Sequence, residues 1–121
     1  MRVYILSRNE NLYSTKRLVE AAEERNWDVR VIDYLKCSIE IMKGELKINY
    51  LGEELPIPDA IIPRIGASRT FYGTAMIRHF EMMDVFTVTG SLAVSRSRDK
   101  LRSLQILSKH EVDMPKTVFA S

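Results

Sequence analysis

Two short apolar runs, Arg2–Ser7 and Asp28–Asp33, enclose a stretch in which Thr15, Leu18, Val19 and Ala22 recur at helical spacing. Successive side chains alternate across a strand, whereas positions three and four apart share one face of a helix. The first run therefore reads as a buried strand and the segment from about 14 to 26 as a helix, with Glu20, Glu23, Glu24 and Arg25 turned outward. The second run reads as a strand parallel to the first. Asn11 or Ser14 is the expected helix cap. A β-α-β unit of this kind closes in the right-handed sense and commits the chain to an α/β fold.

The rest of the chain extends that plan with one interruption. Between Lys36 and Leu55, two alternating runs separated by Lys43-Gly44 predict a β-hairpin, from about 37 to 50, inserted at an edge of the sheet. Ala60-Ile61-Ile62 is a short buried strand that Pro63 should end, because proline cannot donate to a sheet ladder. Residues from about 69 to 83 predict a second helix with Phe71, Thr74, Ala75, Arg78 and Met82 along one stripe, widened by Ile77, Phe80 and Met83. A fourth core strand is expected over 85–89, a helical turn or more over 91–97, a clearer helix from 99 to about 110, and another strand from Thr117.

The composition excludes several function classes. A formal net charge of +2 is too small to point to a nucleic-acid or membrane partner. Cys37 is the sole cysteine, which rules out an intrachain disulfide and a cysteine-rich zinc site and fits a reducing, cytoplasmic setting. No apolar run approaches the length of a membrane span. His79 and His110 have no second ligand at helical spacing and read as structural residues.

Parallel sheets bind ligands beyond the carboxyl ends of their strands, here the loops after Leu6, Ile62 and Val88. The first loop, Ser7-Arg8-Asn9-Glu10-Asn11, holds no glycine, which weighs against a dinucleotide site, because glycines are needed there for backbone to approach a pyrophosphate. Arg64, at a strand's carboxyl end between Pro63 and Gly66, is placed to fork a carboxylate or phosphate. Arg69, Thr70 and Tyr72 open the following helix, where free N–H groups favour an anion; Ser7, Arg8 and Tyr13 join them as candidates. Arg96, Arg98, Lys100 and Arg102 crowd a helix start that is already electropositive, so an anion there would stabilise them.

Ser97-Arg-Asp-Lys-Leu-Arg-Ser-Leu-Gln-Ile-Leu107, followed by Val112-Asp-Met-Pro-Lys-Thr117, resembles the segment that opens the ATP-grasp fold in RimK-type ligases. Ile5-Leu-Ser-Arg8, Pro63-Arg-Ile-Gly66, Phe71-Tyr-Gly-Thr-Ala75 and Phe80-Glu-Met82 match the same family in the same order. The resemblance implies a pre-ATP-grasp, Rossmann-like domain over residues 1–95, with residues 96–121 beginning the ATP-grasp domain. It also implies an enzyme that uses ATP with Mg2+ or Mn2+ to convert a carboxylate to an acylphosphate, which an amine then attacks. Lys100 matches the lysine that touches ATP phosphate. Implied partners are ATP, glutamate and a protein or peptide carboxylate acceptor, as in glutamate addition to the C-terminus of a ribosomal protein, in a cytoplasmic homo-oligomer. On this reading the chain is an N-terminal fragment, inactive alone. The alternative is a stand-alone α/β binding or oligomerisation module without catalysis. Where the family commonly has glycine, which takes the left-handed helix-ending conformation freely, this chain has Glu111, which either adopts that conformation at a cost of about 1 kcal/mol or ends the helix differently.

Overall fold

A computed structural model describes residues 1–120. The first strand, β1 (Arg2–Leu6), lies inside a four-stranded parallel sheet of order β2-β1-β6-β7, where β2 is Asp28–Ile32, β6 is Ala60–Pro63 and β7 is Phe86–Thr87. In register, Ile5 pairs with Val31 on one side and Ile62 on the other. A strand flanked on both sides and covered on both faces reads as a continuous apolar run, as Val3 to Leu6 does. Alternation divides it: Tyr4 and Leu6 join Ile61 in a core cluster with Met76, Ile77 and Phe80 of α2 (Thr70–Met82), while α1 (Tyr13–Glu24) covers the opposite face over β1 and β2.

The inserted hairpin is present, but it does not extend the parallel sheet. Strands β3 (Cys37–Met42), β4 (Glu45–Tyr50) and β5 (Glu53–Glu54) form a separate antiparallel sheet docked on α2. Tyr34–Lys36 wind into a 3-10 turn, with Tyr34 fully buried and the Leu35 amide donating to the Asp33 side chain. That turn takes the chain out of the sheet plane. The Tyr72 hydroxyl donates to the Cys37 carbonyl at 2.6 Å, and His79 Nε2 meets the Lys47 carbonyl at 3.0 Å. Ile48 and Leu55 complete the shared core.

The face α2 buries differs from the expected stripe. Thr74, Ile77 and Phe80 are buried as expected, but Phe71 is 85% exposed, Met82 64% exposed and Arg78 also exposed, whereas Gly73, Met76 and His79, outside the expected stripe, are buried. The segment carries apolar residues nearly all round, so spacing alone does not fix the buried face; the close approach permitted at Gly73 does. The fourth strand is also shorter than 85–89, although the Val88 amide still donates to the Ile61 carbonyl. Thr117–Ala120 form no strand: a strand needs a neighbour, and Val118 is 78% exposed. Neither Asn11 nor Ser14 caps α1. Its N-cap is Leu12, the Asn11 amide donates to Asn9 Oδ1, and the Ser14 hydroxyl is engaged by Arg64.

Three helices end in the same way without a glycine. At Asn26, Asp84 and Glu111 the backbone takes φ values of 57°, 61° and 58°. Each is followed by an amide that reaches back to the helix: Trp27 to Ala22, Val85 to Phe80, and Val112 to Leu107. With the bonds from Asn26 to Glu23, Asp84 to Glu81 and Glu111 to Ser108, these are complete Schellman motifs. Of the two endings open to Glu111, the glutamate adopts the left-handed one.

Helix α3 (Ser91–Arg98) is fixed to α2 by the Ser91 amide and hydroxyl, which donate to the two carboxylate oxygens of Glu81 at 2.6 and 2.8 Å. Asp99, in extended conformation, both ends α3 and starts α4 (Lys100–Lys109), accepting from the Arg102 amide. No residue of α4 is fully buried, and it packs chiefly on α3. Among the described residues no helix is long and apolar enough to cross a membrane.

Candidate functional site

The parallel pairing continues past the strand ends: the Ser7 amide donates to the Ile32 carbonyl and the Arg64 amide to the Leu6 carbonyl. These bonds hold the loops after β1 and β6 side by side. A cleft of about 800 Å³ opens between them, walled by the start of α1 and the end of α3. Of the candidate residues, Ser7, Arg8 and Arg64 line it, joined by Ser14, Thr15, Gly66, Thr89 and Arg98.

Ser7 is 2% exposed and Thr15 fully buried, and their hydroxyls lie 3.2 Å apart. Ser7 Oγ also donates to the Asn9 carbonyl, while the Asn9 amide approaches the same oxygen. Ser7 therefore knots the first loop against α1, leaving it little freedom to act on a ligand. Arg64 is exposed and donates to Ser14 Oγ at 3.2 Å; a neighbouring carboxylate, the ordinary partner of a surface arginine, is not what holds it. Arg98 donates to the Ile65 carbonyl, which ties α3 to the loop that carries Arg64.

Three arginines, Arg8, Arg64 and Arg98, line one cleft, and among the described residues no aspartate or glutamate lines it. Among the described residues the ion pairs are Arg2–Asp28, Arg17–Glu20 and Lys47 with Glu45 and Glu54, so these three arginines are not neutralised by protein. The Leu12 cap supplies no side-chain acceptor to the first turn of α1, which adds a positive helix end at the same wall. Low-dielectric walls lined by one sign of charge raise the local concentration of counter-ions. Such a cleft favours anions over cations, and planar forks of N–H donors suit carboxylate or phosphate oxygens.

The other candidates lie outside it. Tyr13 is 79% exposed and Arg69 is exposed at the N-cap of α2; neither lines the cleft. Tyr72 holds Cys37 as described, and its removal from water raises the hydroxyl's pKa. Lys100 is exposed on the first turn of α4, two residues beyond Arg98. Among the described residues no cluster of three His, Cys, Asp or Glu side chains could hold a metal ion, so the residues present do not fit a Mg2+ or Mn2+ site. The residues that sequence reasoning did not assign to this cleft are Ser14, Thr15 and, above all, Arg98. The cationic stretch signalled the last of these, but only the Ile65 contact separates it from Arg96 and Arg102.

Sequence comparison agrees with this architecture. The chain is 63% identical over 121 residues to a protein of Vibrio atlanticus named "Probable alpha-L-glutamate ligase", covering 100% of this chain and 40% of that protein. Proteins of the same name from Shewanella loihica and Saccharophagus degradans are 58% and 59% identical, with the same coverage. The chain thus spans 40% of the length of the curated relatives it matches. The family described as "RimK PreATP-grasp domain" matches residues 1–94, and the chain belongs to that family.

Proposed function

We propose that this chain supplies the carboxylate-substrate cleft of an ATP-dependent carboxylate–amine ligase that transfers glutamate. The observation that carries this reading is the cleft of Arg8, Arg64 and Arg98 at the carboxyl ends of parallel strands, free of acidic side chains, in a chain whose relatives are named glutamate ligases. In such a reaction ATP phosphorylates a carboxylate and an amine displaces the phosphate, giving an amide. Arg64 and Arg8 hold carboxylate oxygens of glutamate or of the acceptor, so that the reacting groups are presented in one orientation.

Lys100 meets the ATP phosphates. A flexible ammonium suits that role, and Lys100 is exposed on the first turn of α4, two residues beyond the cleft-lining Arg98. The divalent metal that such a reaction uses is held by other residues of the enzyme. The acceptor is the C-terminus of a ribosomal protein, and the enzyme works as a cytoplasmic homo-oligomer.

The test uses an enzyme of the relatives' length that carries this sequence, with ATP turnover followed at varied glutamate and acceptor. Arg64→Ala raises the KM for a carboxylate substrate about tenfold or more, the worth of one charge-assisted hydrogen bond, and leaves the KM for ATP in place. Lys100→Ala does the reverse. Unchanged carboxylate kinetics in Arg64→Ala would remove the cleft from the reaction. The 121 residues alone release no ADP.

A further inference from the structure

Resting on the cleft reading above, we infer that Arg98 is a specificity-determining residue. Together with Arg64 it makes the cleft select ligands carrying two carboxylates over ligands carrying one.

Three features carry the inference. The described lining holds three arginines, with the guanidinium groups of Arg64 and Arg98 on lining residues, and no acidic residue, so a single carboxylate leaves cationic charge uncompensated while a second carboxylate offsets it. The arginines come from three separate elements: Arg8 follows β1, Arg64 follows β6, and Arg98 ends α3. They therefore present separate forks rather than one. Arg98 is also held in place. Its helix is pinned through Ser91 to Glu81 and by buried Val94, and its guanidinium donates to the Ile65 carbonyl, next in the chain after Arg64. That contact uses part of a group with five N–H donors, and the remainder are available to a ligand at the site where Arg64 acts. Arg96, on the same helix, does not line the cleft.

The experiment is an amide NMR titration of the 121-residue chain with glutarate and with valerate, which share a five-carbon skeleton and differ in the second carboxylate. Wild type binds glutarate about tenfold or more tightly than valerate, the difference one further charge-assisted contact makes. Arg98→Gln abolishes that preference by weakening glutarate alone, Arg98→Lys keeps most of it, and Arg96→Gln, which removes the same charge outside the cleft, leaves it unchanged. Thermal melts confirm that each variant is folded. The inference is overturned if Arg98→Gln leaves the preference intact, if it weakens both ligands equally, or if Arg96→Gln matches it. Absence of binding by either carboxylate to wild type overturns the cleft reading itself, a different outcome.

Discussion

Gly73 of α2 lies so close to Ile65 that a β-carbon at position 73 would stand 2.3 Å from Ile65 Cγ2. Ile65 is buried and sits in the loop between Arg64 and Gly66. Gly73→Ala therefore sets helix propensity, which favours alanine by about 1 kcal/mol, against overpacking, which costs about 1–3 kcal/mol. Overpacking wins because the neighbour is an enclosed side chain. The variant loses roughly 1–2 kcal/mol in denaturant unfolding, and because Ile65 must shift, its carboxylate binding falls with it.

Glycine substitutions at the helix ends act in the opposite sense. Asp84 and Glu111 hold φ values of 61° and 58°, where a side chain is strained and glycine is not. Asp84→Gly and Glu111→Gly each relieve about 0.5–1 kcal/mol. The first raises global stability in chemical denaturation. The second, next to the weakly packed α4, shows as slower amide exchange in that helix alone. Asn26→Gly changes little, since asparagine tolerates this conformation.

His79 is buried, and its Nε2 faces the Lys47 carbonyl, so that nitrogen must carry a proton and donate. His79→Leu leaves the carbonyl without this partner and destabilises by about 1–3 kcal/mol. His79→Gln, which keeps a donor, falls between Leu and wild type. Comparing urea midpoints of the three proteins checks the order.

Burial, with a smaller contribution from Asp33, pushes the Cys37 thiol up to about 12 from an ordinary value of 9.0. The folded thiol therefore stays protonated where the unfolded one ionises. Its stabilising contribution is whole below pH 9, declines as pH rises from there, and is lost by about pH 12. Tyr4 and Tyr72, raised chiefly by burial, act in the same sense. Iodoacetamide at pH 8 should label Cys37 about a thousandfold more slowly in the folded chain than in urea. Equal rates would mean that the hairpin sheet opens freely from α2.

Much of this fold was legible in residue order. The parallel core follows from Val3 to Leu6 and from the period of Thr15, Leu18, Val19 and Ala22, because both patterns are set by local geometry. What could not be read depended on long-range contacts. The buried face of α2 is chosen by the Gly73–Ile65 approach, across a loop. The hairpin leaves the parallel sheet because Tyr34 is buried, which a tyrosine's identity does not announce. The left-handed ends at Asn26 and Asp84 are local, but they lacked the glycine that usually signals them. In the cleft, Arg8 and Arg64 were found from their places after strands, whereas Arg98 comes from a helix C-terminus and is brought in by tertiary packing.

The single extended residue between α3 and α4 gives the molecule a lever. Asp99 is the covalent connection between a helix pinned to the core and a helix of 10 residues with no fully buried side chain, joined otherwise by packing and by the Ser103 hydroxyl donating to the Arg96 carbonyl. Such a helix is about 15 Å long, so a turn of about 10° at Asp99 swings its far end by roughly 2–3 Å. Lys100, next to the pivot, hardly moves in that swing, while Lys109 and His110 sweep the full arc. Whatever packs on α4 therefore acts with most leverage at its far end and least at Lys100.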